Sequence, residues 1–231
     1  MMKKNALLLL PVLWLFLWQA YAARGDFRPV APDFSLDRVI QEMEKIRQGI
    51  EDLLVQVEVV ASDPVSGREE ITPIEFKFKP PDKLISEIQR PGGRLAVING
   101  ENMWIYSPDI NLVEKYLLRE ESKRSRVLYE MSWGLTSPIR MLVRGMNREL
   151  AVLEDGTYLI TLKPDQKDPD LEMLQAWVDP ESWLVKRMKI FAPGRPPTEV
   201  RVKHWQINSG LSDDIFNFQV PSGAEVFEAL K

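Results

Sequence analysis

The chain has 231 residues, with 30 Lys+Arg against 34 Asp+Glu, a single His and no Cys. That inventory excludes a structural zinc site built from Cys and His, and it excludes disulfides, so a hydrophobic core has to supply the stability. A net charge of −4 argues against nucleic acid as a partner, because phosphate binding needs an excess of base.

The N-terminus reads as a targeting segment. A basic Met1–Lys4 precedes the apolar run ALLLLPVLWLFLW, and Ala20-Tyr21-Ala22 supplies a small-x-small cleavage signal. Export with cleavage after Ala22 is expected, leaving 209 residues with a net charge of −6, since Lys3 and Lys4 leave and no acid does. Residues 23–34 have no periodicity and read as a flexible lead-in.

A helix is predicted from Ser35, as N-cap, to about Gln48. Leu36, Val39, Ile40, Met43, Ile46 and Ile50 form one apolar stripe at helical spacing. The β-branched run Leu53–Ala61 reads as a strand. From Ile74 to Pro108 the pattern predicts a four-stranded meander. In FKFK the apolar residues alternate with lysines, and Asn99-Gly100 between LAVI and NMWIY is a strong hairpin signal. Asn111–Leu118 looks like a further strand.

After the charged run Arg119–Arg126 comes an apolar stretch, VLYEMSWGLTSPIRMLVRGM. Its spacing suits short helices interrupted by Gly134 and Pro138, acting as a core plug or a lid. Strands resume at Leu150–Leu153 and Tyr158–Leu162, flanking the turn pair Asp155-Gly156. Met173–Val178, Trp183–Phe191 and Thr198–Ile207 follow at the spacing of an antiparallel barrel or sandwich. Ile215–Val220 (IFNFQV) is expected to be a terminal strand. No nucleophile elbow accompanies His204, and no phosphate-binding glycine loop is present, so a binding protein is favoured over an enzyme. The spread of Trp and Met over several elements suits either an ordinary core or a cavity for flexible apolar ligands.

Several short motifs then fall in order: Phe76-Lys77-Phe78-Lys79 with Pro81, Val97-Ile98-Asn99-Gly100, Trp104-Ile105-Tyr106-Ser107-Pro108, Tyr158–Pro164, Trp177-Val178-Asp179 with Val185-Lys186-Arg187, and Phe216–Val226. Together they resemble the periplasmic outer-membrane lipoprotein carrier proteins, the LolA-like family, over essentially the whole chain from Ser35. The resemblance implies an α+β fold, an incomplete, unclosed antiparallel β-barrel of about 11–12 strands, with helices covering the open face and an apolar cavity. One domain would span residues 35–231.

The implied function is a non-enzymatic, cofactor-free periplasmic carrier. It would take acyl chains of lipoproteins or related lipids from an inner-membrane exporter to an outer-membrane acceptor, and it would act as a monomer. An envelope lipid or lipoprotein sensor on the same fold is the alternative. The cavity candidates are Phe76, Phe78, Leu84, Trp104 and Tyr106 of the meander, and Met131, Trp133, Leu135, Ile139 and Leu142 of the lid. Strand register decides which residues face inward, and a one-residue shift inverts the set. Family members carry a lid-latching Arg where this chain has Pro80; Lys79 could replace it only if the turn shifts.

Overall fold

The computed structural model describes residues 35–63, 66–118, 139 and 143–228. The expected signal peptide, the lead-in and the lid residues Met131, Trp133, Leu135 and Leu142 lie outside these residues.

Helix α1 (Leu36–Gln48) starts where the Ser35 side chain accepts a hydrogen bond from Arg38 N, with Asp37 in its first turn and Lys45 and Arg47 in its last. Both charge placements favour the helix dipole. Of the predicted stripe, Val39, Ile40 and Met43 are buried, whereas Ile46 stays exposed.

Twelve strands follow among the described residues: β1 (Leu53–Ser62), β2 (Glu69–Lys79), β3 (Lys83–Ile88), β4 (Leu95–Asn99), β5 (Asn102–Ser107), β6 (Leu112–Leu117), β7 (Met146–Val152), β8 (Tyr158–Pro164), β9 (Met173–Val178), β10 (Val185–Phe191), β11 (Thr198–Ile207) and β12 (Glu225–Glu228). They form one sheet in the order β12-β6-β5-β4-β3-β2-β1-β11-β10-β9-β8-β7. The outermost strands, β12 and β7, are not paired with each other, so the sheet does not close. Every neighbouring pair is antiparallel except β12 on β6. The long β1 sits at the centre because it pairs with β2 on one side and β11 on the other, joining the two meanders.

The predicted meander is present, and Gly100, at φ 95°, makes the turn that Asn99-Gly100 announced. Gly92-Gly93 is likewise a turn; a Cβ on Gly93 would collide with the Ile88 carbonyl.

The expected terminal strand Ile215–Val220 is not a strand. Asp213–Phe216 forms a single 3-10 turn, capped by Ser212. The alternation of Phe216 and Phe218, read as strand periodicity, serves a strap instead. Phe216, fully buried, plugs between Ile85 and Val97, and Phe218 packs on Trp104. The edge strand is β12, which begins only at Glu225, beyond the expected one. One helix covers the sheet among the described residues. The second, helical cover expected for the open face lies in the undescribed segment, apart from the helical hydrogen bond from Val143 N to Ile139 O.

Candidate functional site

Residues directly opposite each other in adjacent strands project to the same face, so the register sorts the sheet into two sides. The inner side is defined by α1. Val39 and Met43 pack against Tyr158, Ile160, Leu162 and Val178, and Trp183 stacks on Tyr158 with ring centroids 5.4 Å apart.

Following the register along this side gives an unbroken apolar row. Val178 lies opposite Tyr158, Met188 opposite Ala176, and Val200 opposite Met188. Val59 then faces Val200, and Leu53 faces Phe78. Phe78 faces Leu84, Leu84 faces Ile98, and Ile98 faces Met103. The strand sequences make this possible, because the residues that alternate with these are mostly polar or charged in β1, β2 and β11.

Depth divides the row. Phe76, Leu84 and Ile98 are at most 1% exposed and form its base. Phe78, Ile88, Ile105, Tyr116, Trp205 and Ile207 pack on that base but are only partly buried. They are the side chains that an apolar ligand on this face could touch. The indole Nε1 of Trp205 is buried with no hydrogen-bond partner, and burial pushes the Tyr116 phenol up from its ordinary range. The Tyr116 hydroxyl, 3.1 Å from Glu114 Oε1, donates to that carboxylate.

The five meander candidates therefore do not share one face. Phe76, Phe78 and Leu84 lie on the inner side. Trp104 and Tyr106 lie on the outer side, since Trp104 pairs with Val97 and Tyr106 with Val113. Trp104 stacks on Phe218 at 6.0 Å, and the Tyr106 hydroxyl donates to Asn111 Oδ1 at 3.1 Å. The inner side of β5 belongs to their neighbours Met103 and Ile105, one residue out of step. Ile139 reaches the inner side from the segment before β7. It packs on the α1 cluster, and its backbone N–H donates to Glu44 Oε2 at 3.3 Å. Glu44, almost fully buried, is also held by Arg47 through Nε at 3.0 Å and Nη2 at 2.6 Å.

Lys79 does not take the place of the missing Arg. Its ammonium donates to Leu211 O at 3.0 Å and pairs with Asp213 at 2.7 Å, on the strap. Lys83 pairs with the other oxygen of Asp213 at 3.0 Å. The strap is anchored further back by Asp52, whose buried carboxylate accepts from Ser209 N (2.8 Å), Ser209 Oγ (3.0 Å), Gly210 N (2.8 Å) and Leu211 N (3.0 Å). Burial pushes Asp52 up, but these hydrogen bonds outweigh it and hold the carboxyl below its ordinary range. Sequence reading missed this anchor. Its signal is the Asn208-Ser209-Gly210 turn directly after β11, facing an acid directly before β1.

Comparison with known proteins follows the same line. The family model for the outer membrane lipoprotein carrier protein LolA matches residues 70–219. An outer-membrane lipoprotein carrier protein of Azotobacter vinelandii is 22% identical over 200 residues, which is 86% of this chain and 92% of the relative. Among solved structures, an uncharacterized conserved protein from Thermus thermophilus superposes with a TM-score of 0.56 at 13% identity, covering 85% of this chain and all of the other. Lipoprotein LppX of Mycobacterium tuberculosis gives a TM-score of 0.46 at 16% identity, over 78% of this chain and all of the other. The Thermus likeness shows a shared fold. The family model spans well over half of the sequence, and the chain belongs to the LolA family of outer membrane lipoprotein carrier proteins.

Proposed function

We propose that this protein is a periplasmic, non-enzymatic carrier that shields the acyl chains of lipoproteins on the inner side of its sheet during their passage from inner to outer membrane. The observation that carries this reading is the apolar row crossing the unclosed sheet, with Phe78, Ile105, Tyr116 and Trp205 left partly uncovered along it. Each methylene kept from water is worth ~0.8 kcal/mol, so one long acyl chain carries roughly 10 kcal/mol of aversion to an aqueous compartment. A surface of deformable, partly open apolar side chains can hold such a chain and still let it go. In this reading Phe76 and Leu84 set the floor. Phe78 touches the cargo, and Ile139 with Met131, Trp133, Leu135 and Leu142 supplies the cover. The leader is removed after Ala22, and the monomer meets an inner-membrane exporter and an outer-membrane acceptor in turn.

Depleting the protein in its native host tests the role. A carrier's loss strands lipoproteins in the inner membrane. Lipoproteins that still reach the outer membrane, with only envelope-stress signalling changed, would replace the carrier by a sensor.

A further inference from the structure

Among the described residues three buried side-chain atoms have no hydrogen-bond partner: Asn99 Oδ1, Arg187 Nε and Trp205 Nε1. The first two lie on the outer side. Asn99 pairs with Lys83 next to the inward Leu84–Ile98 pair, and Arg187 faces Trp177 next to the inward Met188–Ala176 pair. Trp205 alone of the three stands on the inner side, opposite Val55, which in turn lies opposite Phe76.

The backbone is shaped to put it there. The register of β11 on β1 shifts between Gln56 and Val57, so that Val202 faces Val57 and Trp205 faces Val55. Two residues separate Val202 from Trp205, where β1 has only Gln56 between their partners. Plain alternation would send residues 202 and 205 to opposite sides, and this bulge brings both inward. Bulges recur where a strand re-aims a side chain toward a site.

An indole N–H donates and cannot accept, so only an acceptor relieves it. The side chains across from it, Leu53, Val55 and Val57, offer none, and Val202 and Ile207 flank it in its own strand. Against these apolar side chains a trapped water falls short of the two to four polar partners it needs. Folded proteins leave few such donors unmatched, because the water lost on burial is not replaced.

We propose that Trp205 Nε1 is the polar contact by which the inner face reads its cargo, donating to an uncharged ester carbonyl where an acyl chain joins its head. This rests on the carrier reading and narrows it. An otherwise apolar site takes orientation and selectivity from a few placed polar groups. The ring is only partly buried, so cargo lying on it meets the N–H after a small turn of the indole. A dialkyl ether offers a weaker acceptor than a carbonyl. A free fatty acid would bring its carboxylate against Leu53, Val55 and Val57, where no cation compensates the lost hydration. The carbonyl belongs either to the acylated glycerol of a lipopeptide or to a free diacylglycerol.

The test titrates delipidated protein with a dipalmitoyl-glyceryl-cysteinyl lipopeptide, with dipalmitoylglycerol, with the dialkyl-ether counterpart of each, and with palmitate, following the indole N–H resonances by NMR. The ester lipopeptide is expected to bind about tenfold more tightly than its ether and to shift the Trp205 resonance, which Trp205→Phe identifies by its disappearance. In Trp205→Phe, which keeps an apolar ring, the ester-to-ether ratio should fall to about one. The ratio in unchanged protein needs no variant and decides the matter even if Trp205→Phe fails to fold. Ester preference in both pairs makes the glyceryl ester sufficient; preference confined to the lipopeptide pair assigns the carbonyl to lipoprotein cargo. Equal affinity for ester and ether, an unmoved Trp205 resonance, palmitate bound as tightly as the ester, or a ratio that survives Trp205→Phe would overturn the inference and leave the carrier reading standing. Binding of no lipid at all would overturn both.

Discussion

Phe76 and Trp104, both in the central meander, lie on opposite faces of the same sheet. Phe76 is fully buried in the inner row, while Trp104 stacks on Phe218 of the strap 6.0 Å away. Two aromatic residues that look equivalent in the sequence are therefore set in the base of the inner row and against the strap respectively. Phe78, next along the inner row and only partly buried, separates these roles experimentally. Phe78→Ser should weaken binding of a fluorescent acyl lipopeptide about tenfold with a small change in melting temperature. Trp104→Ala should leave that affinity unchanged while lowering stability by about 2 kcal/mol in urea denaturation. The reverse pattern would place the cargo on the outer face.

Phe216 carries the strap. Its ring fills the space between Ile85 and Val97 with no exposed surface. Truncation leaves a cavity, so Phe216→Ala should cost about 3–5 kcal/mol of unfolding free energy, measured by urea titration with an unchanged slope. A loss under about 1 kcal/mol would show that the strap is not part of the cooperative unit.

Asp52 links that strap to the start of β1 and confers a pH dependence of known sign. Its folded pKa lies below the ordinary value, because the Ser209, Gly210 and Leu211 donors outweigh the effect of burial. The folded state thus binds the proton more weakly than the unfolded chain. The stabilisation is complete above the unfolded pKa of about 4 and is lost as pH falls through the lower folded value. At neutral pH Asp52→Ala should cost about 2–3 kcal/mol, since it strands buried N–H donors. In melting curves taken from neutral pH down to about pH 3, the gap between wild type and Asp52→Asn should narrow with acid. A gap that widens would contradict this role.

The link between α1 and Ile139 predicts a third kind of effect. Glu44 holds Arg47 and accepts from the Ile139 backbone, joining the helix to the segment that precedes β7. Glu44→Ala should speed hydrogen exchange at Ile139 and Val143 more than at the β1 amides, because β1 is paired on both sides. Uniform acceleration across all of them would mean that the contact stabilises the molecule only globally.

Much of this architecture was legible in the chain. Alternation in FKFK, the Asn99-Gly100 and Asp155-Gly156 turns, and the Ser35 cap are local signals, and local physics decides them. Three features were not legible for equally physical reasons. In Met103-Trp104-Ile105-Tyr106 every residue is apolar or aromatic, so no alternation tells inside from outside; the larger rings suggested the cavity, whereas the register puts Met103 and Ile105 on the inner side. Phe216 and Phe218 have strand spacing but no strand to pair with, and burial against the outer face decides their conformation. The Asp52 anchor joins residues 157 apart in sequence, a contact that no window of local pattern contains.

If the inner row carries acyl cargo, protein taken from its native envelope brings that cargo with it. Mass spectrometry under native conditions, on protein purified from its own envelope without added detergent, tests it most directly. Co-purifying acyl lipid or lipoprotein is expected, lost in Phe78→Ser and retained in Trp104→Ala. Protein that leaves the envelope with no bound lipid, and that takes up no triacylated lipopeptide after delipidation, would contradict it.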